Sequence, residues 1–116
     1  MLLANYAWHQ VNGVDHSWPV ASLKPNDFGL FDMQGNAYEW VYGSDKFSDS
    51  PSIPRNVTPD TPNTKAVLET AGRLMRGGSF RHPPSNLRSA RRADTRPSDR
   101  DNTNGFRPSR SYNLSL

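Results

Sequence analysis

Asp32 and Glu39 flank the segment Met33-Gln34-Gly35-Asn36-Ala37-Tyr38. Two carboxylates separated by a glycine-containing turn can turn side-chain and carbonyl oxygens toward one hard cation. The same residues also allow a cation-free turn in which Glu39 pairs with an arginine. Ser79 follows Gly77-Gly78. Gly-Gly-Ser-Phe lacks the Gly-x-Ser-x-Gly spacing that presents a nucleophilic serine on a strand-to-helix turn. A strand serine bonded to backbone is therefore expected. His82, ahead of Pro83-Pro84, reads as an exposed loop histidine, and His9, His16 and His82 lack zinc-ligand spacing. Asp99-x-Asp101-x-Thr103 begins like a calcium loop. Asn104 stands where that loop needs glycine and Arg110 where it needs glutamate, so a solvated turn is expected. Trp18, Tyr38, Trp40 and Tyr42 could line a groove, but in a chain poor in aliphatic residues aromatics are expected to build the core.

Composition bounds what can position these groups. The chain has 116 residues, enough for one domain. Hydrophobic residues make up 34%, with 8 Gly and 10 Pro, and mean hydropathy is −0.82, so a loop-rich domain with a modest core is expected. No stretch is apolar enough for a membrane span. Met1-Leu2-Leu3-Ala4 is too short for the apolar region of a signal peptide, which makes the cytoplasm the expected compartment. Cysteine is absent, which removes disulfides, thiolate metal sites and a cysteine nucleophile from consideration for this chain. The net charge of +3 conceals a split: residues 1–72 carry −4 and residues 73–116 carry +7, every base in the second part being arginine. These arginines are interleaved with apolar residues, as in Leu87-Arg88-Ser89-Ala90-Arg91. That pattern suits planar forks binding carboxylates and loop carbonyls inside an irregular fold. A polyanion-binding surface is the weaker alternative.

The spacing of Leu2, Leu3, Tyr6, Ala7 and Val11 predicts a short amphipathic helix within residues 1–12, ended by Asn12-Gly13. Trp18-Pro19-Val20 should be extended, Lys24-Pro25-Asn26-Asp27 a turn, and Phe28 to Met33 an apolar segment. Asn36 to Tyr42 alternates polar and aromatic residues and predicts a strand. Residues 43–65, with four prolines, read as a long variable loop, and Asn56-Val57-Thr58 within it is a weak glycosylation match. Arg73 to Phe80 predicts a strand, with Gly77-Gly78 as a bulge or close backbone approach. His82 to Asn86 should be a turn, and Leu87 to Ala93 and Gly105 to Arg110 two further strands around the polar loop 94–104. An apolar patch drawn partly from Leu2, Leu3, Tyr6 and Trp8 is expected to meet water.

Four blocks occur in order: Lys24-Pro25-Asn26-Asp27-Phe28-Gly29-Leu30-Phe31-Asp32-Met33, Gly35-Asn36-Ala37-Tyr38-Glu39-Trp40, Arg76-Gly77-Gly78-Ser79-Phe80 and Asn104-Gly105-Phe106-Arg107. Together they resemble the C-terminal half of a sulfatase-modifying-factor domain, the family of the formylglycine-generating enzyme. The resemblance is strongest over residues 19–110. It implies an α+β, C-type-lectin-like fold, loop-rich with short strands. Because the family domain is considerably longer, it also implies a single partial domain over 1–116, incomplete at its N-terminus. The ending Gly105-Phe106-Arg107-Pro108-Ser109-Arg110-Ser111-Tyr112 is similar to bacterial versions, often joined to kinases.

For the metal, the resemblance implies a structural Ca²⁺ held by the side chains of Asp32 and Glu39 and the carbonyls of Gly35 and Ala37. Ser79 and His82 correspond to pocket positions of the enzymes. Those enzymes hold Cu(I) between two cysteines, the first at the place of His82, so no copper is expected on a chain without cysteine. The expected role is a non-catalytic binding or structural module of a larger bacterial protein. The alternatives are an oxidoreductase converting a protein cysteine to formylglycine, and a weak polyanion binder acting through the arginines. Expected partners are the remaining N-terminal half of the domain or a fused kinase-type protein, together with a protein or small ligand of unspecified kind. Nucleic acid and membrane are not expected.

Overall fold

Alternation of polar and aromatic side chains along Asn36-Ala37-Tyr38-Glu39-Trp40 suits a pleated strand covered on one face. In the computed structural model, which describes residues 2–41 and 72–109, this segment contains strand β1 (Tyr38–Trp40). β1 lies inside a four-stranded sheet with β2 (Arg73–Arg76), β3 (Ala93–Thr95) and β4 (Asn104–Gly105), in the order β3-β2-β1-β4. β2 runs antiparallel to both β1 and β3. β4 runs parallel to β1, pairing Tyr38 with Asn104 and Glu39 with Gly105. Successive residues of a strand face opposite sides. Leu74 and Met75 are both buried, so β2 is covered on both faces.

The core of the described residues is small: Ala7, Tyr38, Leu74, Met75, Phe80 and Leu87. Phe80 is 1% exposed, and truncating a buried phenylalanine of this kind costs about 3–5 kcal/mol. With so few aliphatics, polar contacts carry much of the loop structure. Asn36 is the clearest case. Its side-chain oxygen accepts from the Trp18 amide (2.9 Å) and its side-chain nitrogen donates to the Trp18 carbonyl (3.0 Å). Its own amide donates to the Trp8 carbonyl, and its carbonyl accepts from the Phe80 amide. Asn36 has φ 59°, a left-handed conformation that asparagine tolerates better than most residues. The preceding Gly35 (φ 77°) passes so close to the Trp8 carbonyl that a Cβ there would collide with it. Trp8 in turn stacks on Trp18, with ring centroids 4.5 Å apart.

Several local expectations are corrected. The helix predicted within residues 1–12 is reduced to a 3₁₀ turn, Leu2–Asn5. Asn12 is the cause: its side chain accepts from the His9 amide and donates to the Ala7 carbonyl, while His9 Nδ1 accepts from the Val11 amide. Such side-chain bonds offer the backbone an alternative to helical pairing. Leu87 to Ala93 is not a strand. A 3₁₀ turn, Pro84–Asn86, inserts Leu87 into the core against Gly78, a second turn closes from the Arg88 carbonyl to the Arg91 amide, and pairing begins only at Ala93. β4 stops at Gly105 rather than continuing toward Arg110, which, like Tyr42, lies outside the described residues. The predicted loop 43–65, with Asn56-Val57-Thr58, lies outside them as well.

Other expectations hold. Gly77 and Gly78 both have positive φ, and Gly78 makes the close approach, to the Leu87 side chain. In the turn at 24–27, Asn26 Oδ1 accepts from the amides of Phe28 and Leu30, both at 3.0 Å. Of the residues expected in an apolar patch, Leu2 (79%) and Tyr6 (40%) are exposed, whereas Leu3 and Trp8 are half-buried.

Candidate functional site

Ser79 follows the two positive-φ glycines that end β2, and this turn drives it wholly out of solvent. Its Oγ lies 2.7 Å from Nδ1 of His82 and accepts from the Arg81 amide at 3.3 Å. The Ser79 carbonyl also accepts from the His82 amide. Residues 79–82 therefore form a closed turn in which serine and histidine satisfy each other. His82 is half-buried rather than the exposed loop residue expected from its prolines. Its ring meets Tyr38 edge to face at 4.9 Å.

The electrostatics keep the imidazole and the phenol of this cluster in their neutral forms. Burial lowers the His82 pKa, the positive charge of Arg91 lowers it further, and Asp101 opposes both. Burial raises the Tyr38 phenol, against the charge and hydrogen bond of Arg91. Hydrogen bonds from the Thr103 hydroxyl (2.6 Å) and amide (2.8 Å) hold the Asp101 carboxyl below the usual carboxylate range. At neutral pH the site thus presents a phenol, a neutral imidazole, a guanidinium and a carboxylate around a serine that has no exposed surface. It can bind through hydrogen bonds and charge. A nucleophilic Ser79 would need an exposed Oγ, which this turn does not supply.

The other predicted site is the turn from Asp32 to Glu39. Glu39 is engaged by Arg107: Nε donates to Oε1 at 3.0 Å and to Oε2 at 2.8 Å. Nη2 of Arg107 lies 2.8 Å from Glu39 Oε1 and donates to the Phe31 carbonyl at 2.8 Å. Asp32 Oδ2 accepts from the Ala21 amide at 2.7 Å. Gly35 sits between the Trp8 carbonyl and the Gly77 carbonyl, to which its amide donates, and a Cβ on Gly77 would come 3.9 Å from the Ala37 carbonyl. The two carboxylates expected to share Ca²⁺ therefore have different partners. Among the described residues no three His, Cys, Asp or Glu side chains are grouped to hold a metal. Glu39 and the Phe31 carbonyl together accept from one guanidinium, an arginine fork.

Arg107 is the residue that sequence reasoning left unassigned. The pairing of Glu39 with some arginine was legible, and Arg107 stands in the last of the four blocks, but only the Glu39–Gly105 register selects it. The Asn36 hub and the Tyr38–Arg91 contact were also missed. Asp99 and Asp101 do not converge: Asp99 accepts from Thr95 and from the Arg96 amide, Asp101 from Thr103, as befits turns. Trp18 and Trp8 form a half-buried stack, whereas Tyr38 is core.

The profile of the Sulfatase-modifying factor enzyme 1-like domain matches residues 1–112. A serine/threonine-protein kinase, pkn1 of Chlamydia pneumoniae, is 35% identical over 97 residues, covering 81% of this chain and 14% of the kinase. A formylglycine-generating enzyme of Streptomyces coelicolor is 32% identical over 95 residues, covering 77% of this chain and 27% of the enzyme. Among solved structures, Treponema denticola variable protein 1 superposes with a TM-score of 0.66 at 26% identity, covering 90% of this chain and 36% of that protein. The chain thus spans well under half the length of each. The fold is α+β and C-type-lectin-like, with the short mixed sheet and long loops described above. With its motif blocks placed around that sheet and residues 1–112 matched by the family's profile, the chain belongs to the sulfatase-modifying factor enzyme 1-like family.

Proposed function

We propose that this domain acts as a non-catalytic binding or structural module of a larger bacterial protein, a kinase fusion being the arrangement its relatives favour. One observation carries the reading. The position that the resemblance assigns to the first copper cysteine is His82, its Nδ1 is bound to Ser79 Oγ at 2.7 Å, and the chain has no cysteine to form a thiolate pair. Cu(I) prefers soft thiolate ligands, and a single imidazole already engaged through one nitrogen is a poor substitute. The polar cluster of Tyr38, His82, Arg91 and Asp101 is then a ligand-facing remnant, able to recognise a partner by hydrogen bonds and charge. Competition with a chromogenic Cu(I) chelator tests the reading. The chelator is expected to keep all the copper, and stoichiometric transfer of copper to the protein would overturn it.

A second reading, polyanion binding, has one observation in its favour. Arg76, Arg81 and Arg107 serve as structural forks, to the Ser89 carbonyl, Asp15 and Glu39. Arg88, Arg92, Arg96 and Arg100 have no carboxylate partner among the described residues. Retention on a heparin column that falls steeply with salt would favour this reading, since phosphate- or sulfate-type contacts release counterions. Elution at low salt would dismiss it.

A further inference from the structure

Arg76 closes β2, and its guanidinium has no carboxylate partner among the described residues. Its cross-strand partner in β1 is Glu39, whose carboxylate bonds to Arg107 instead. Arg76 Nη1 turns to the Ser89 carbonyl, at 2.9 Å. Ser89 stands on the exposed turn that closes from the Arg88 carbonyl to the Arg91 amide. Its Oγ accepts from Gln34 Nε2 at 3.2 Å, and its own proton has no acceptor among the described residues. Ser79, by contrast, is wholly buried and bonded to His82. Arg88, exposed and next in sequence, also has no carboxylate partner among the described residues. One exposed hydroxyl therefore stands between an amide donor and a guanidinium held on its own carbonyl, with a second arginine beside it.

We propose that Ser89 is a phosphorylation site whose phosphate is held by Arg76, Arg88 and the Gln34 amide. The phosphoryl donor is a nucleoside triphosphate used by a serine/threonine kinase, and for the source of that kinase the inference rests on the kinase-fusion reading above. In the transfer, Ser89 Oγ bonds to the γ-phosphorus and the bond from that phosphorus to the β,γ-bridging oxygen breaks. The nucleoside diphosphate leaves, and the hydroxyl proton passes to the kinase's base. The product carries roughly two negative charges and three acceptor oxygens at neutral pH. Opposite arginines such a group forms charge-assisted hydrogen bonds and orders the segment that carries it. The phosphate ties the 88–91 turn to the end of β2 and to Gln34, in the turn between Asp32 and Glu39. The 88–91 turn also supplies Arg91, which bonds Tyr38 in the polar cluster, so the modification lies at the edge of the proposed binding surface.

Two measurements on the full chain test it. The first is transfer: the chain is incubated with ATP and an arginine-directed serine/threonine kinase, and the phosphorylated residue is mapped by tandem mass spectrometry. Ser89 is expected to carry the phosphate, and Ser89→Ala to lose that product. The second is capture, measured on the chain with phosphoserine installed at position 89. Its phosphorus NMR titration midpoint should lie roughly half a pH unit or more below that of the same chain in denaturant, because a nearby guanidinium favours the dianion. Its Tm at low salt should exceed that of the unmodified chain, by a margin that shrinks as salt is added. Arg76→Gln should reduce both shifts, and Arg88→Gln, at an exposed position, should reduce them too. The proposal is overturned if Ser89 stays unphosphorylated, if the titration midpoint equals that of the denatured chain, or if neither arginine variant moves it. The kinase is supplied as a separate protein and the phosphoserine is installed directly, so neither result depends on a fusion. Copper transfer in the chelator competition would overturn the non-catalytic reading and leave both results as they are.

Discussion

Ser79 Oγ and His82 Nδ1 stand 2.7 Å apart inside a four-residue turn, with the serine fully buried and its oxygen also receiving the Arg81 amide. The pair has the residue types of a catalytic dyad and the surroundings of a structural lock. Replacing Ser79 with alanine leaves Nδ1 and the amide without partners, which costs about 1–3 kcal/mol for buried polar groups. Denaturant unfolding of Ser79→Ala should show a midpoint lowered accordingly. An unchanged midpoint would mean that the turn does not depend on the hydroxyl.

Two histidines give the fold an acid limit. His9 is 2% exposed, and burial lowers its pKa from 6.5; that of His82 is lowered by burial and by Arg91. A base with a depressed folded pKa binds fewer protons folded than unfolded. Its contribution is complete above the unfolded value near 6.5 and is lost as pH falls through the folded value. Tm should therefore be flat at mildly alkaline pH and drop below pH 6.5. In His82→Asn part of that drop should disappear. A Tm that rises on acidification would contradict the assignment of both rings as neutral.

Asn36 separates side-chain from backbone effects. Its side chain makes two hydrogen bonds to Trp18, and its φ is 59°. Asn36→Gly loses only the bonds, whereas Asn36→Ala also bears left-handed strain of about 1–2 kcal/mol. Both variants should unfold more easily, with alanine the worse of the two. Equal stability of the two variants would show that the turn relaxes out of the left-handed region.

The exposed apolar side chains make association the expected behaviour at high concentration. Leu2 is 79% and Tyr6 40% exposed, and Asn5 between them accepts from the Lys24 amide, so the patch is anchored rather than frayed. Light scattering should report a mass that grows with concentration and shrinks in Leu2→Ser with Tyr6→Ser. A strictly monomeric unmodified chain would count against the patch as a sticky surface.

The motif blocks were readable because each performs a local task that its residue types announce. Asn26 and Asp27 after Pro25 make a turn, Gly77-Gly78 allows the approach of Leu87, and Tyr38 and Trp40 alternate with Glu39 along a strand. Local signals failed where a distant partner decides. The helix within residues 1–12 had the right apolar spacing, but Asn12 captures the amide and carbonyl that a helix would use. Leu87 looked like the start of a strand, yet it is a plug whose place is fixed by a glycine nine residues earlier. At the candidate site, the residue types around Asp32 and Glu39 were legible, whereas the choice of Arg107 among eleven arginines depends on the β1–β4 register. No spacing along the chain encodes that register.

The central claim, a family domain without the family's oxidase chemistry, is tested most directly with a sulfatase-type peptide containing one cysteine. The chain is incubated with the peptide, Cu(I), oxygen and a thiol reductant, and the peptide mass is followed by mass spectrometry. The account predicts that the cysteine stays unconverted, because His82, already bonded to Ser79, stands where a thiolate would be needed. Appearance of the aldehyde in proportion to the protein added, and its loss in His82→Ala, would contradict it.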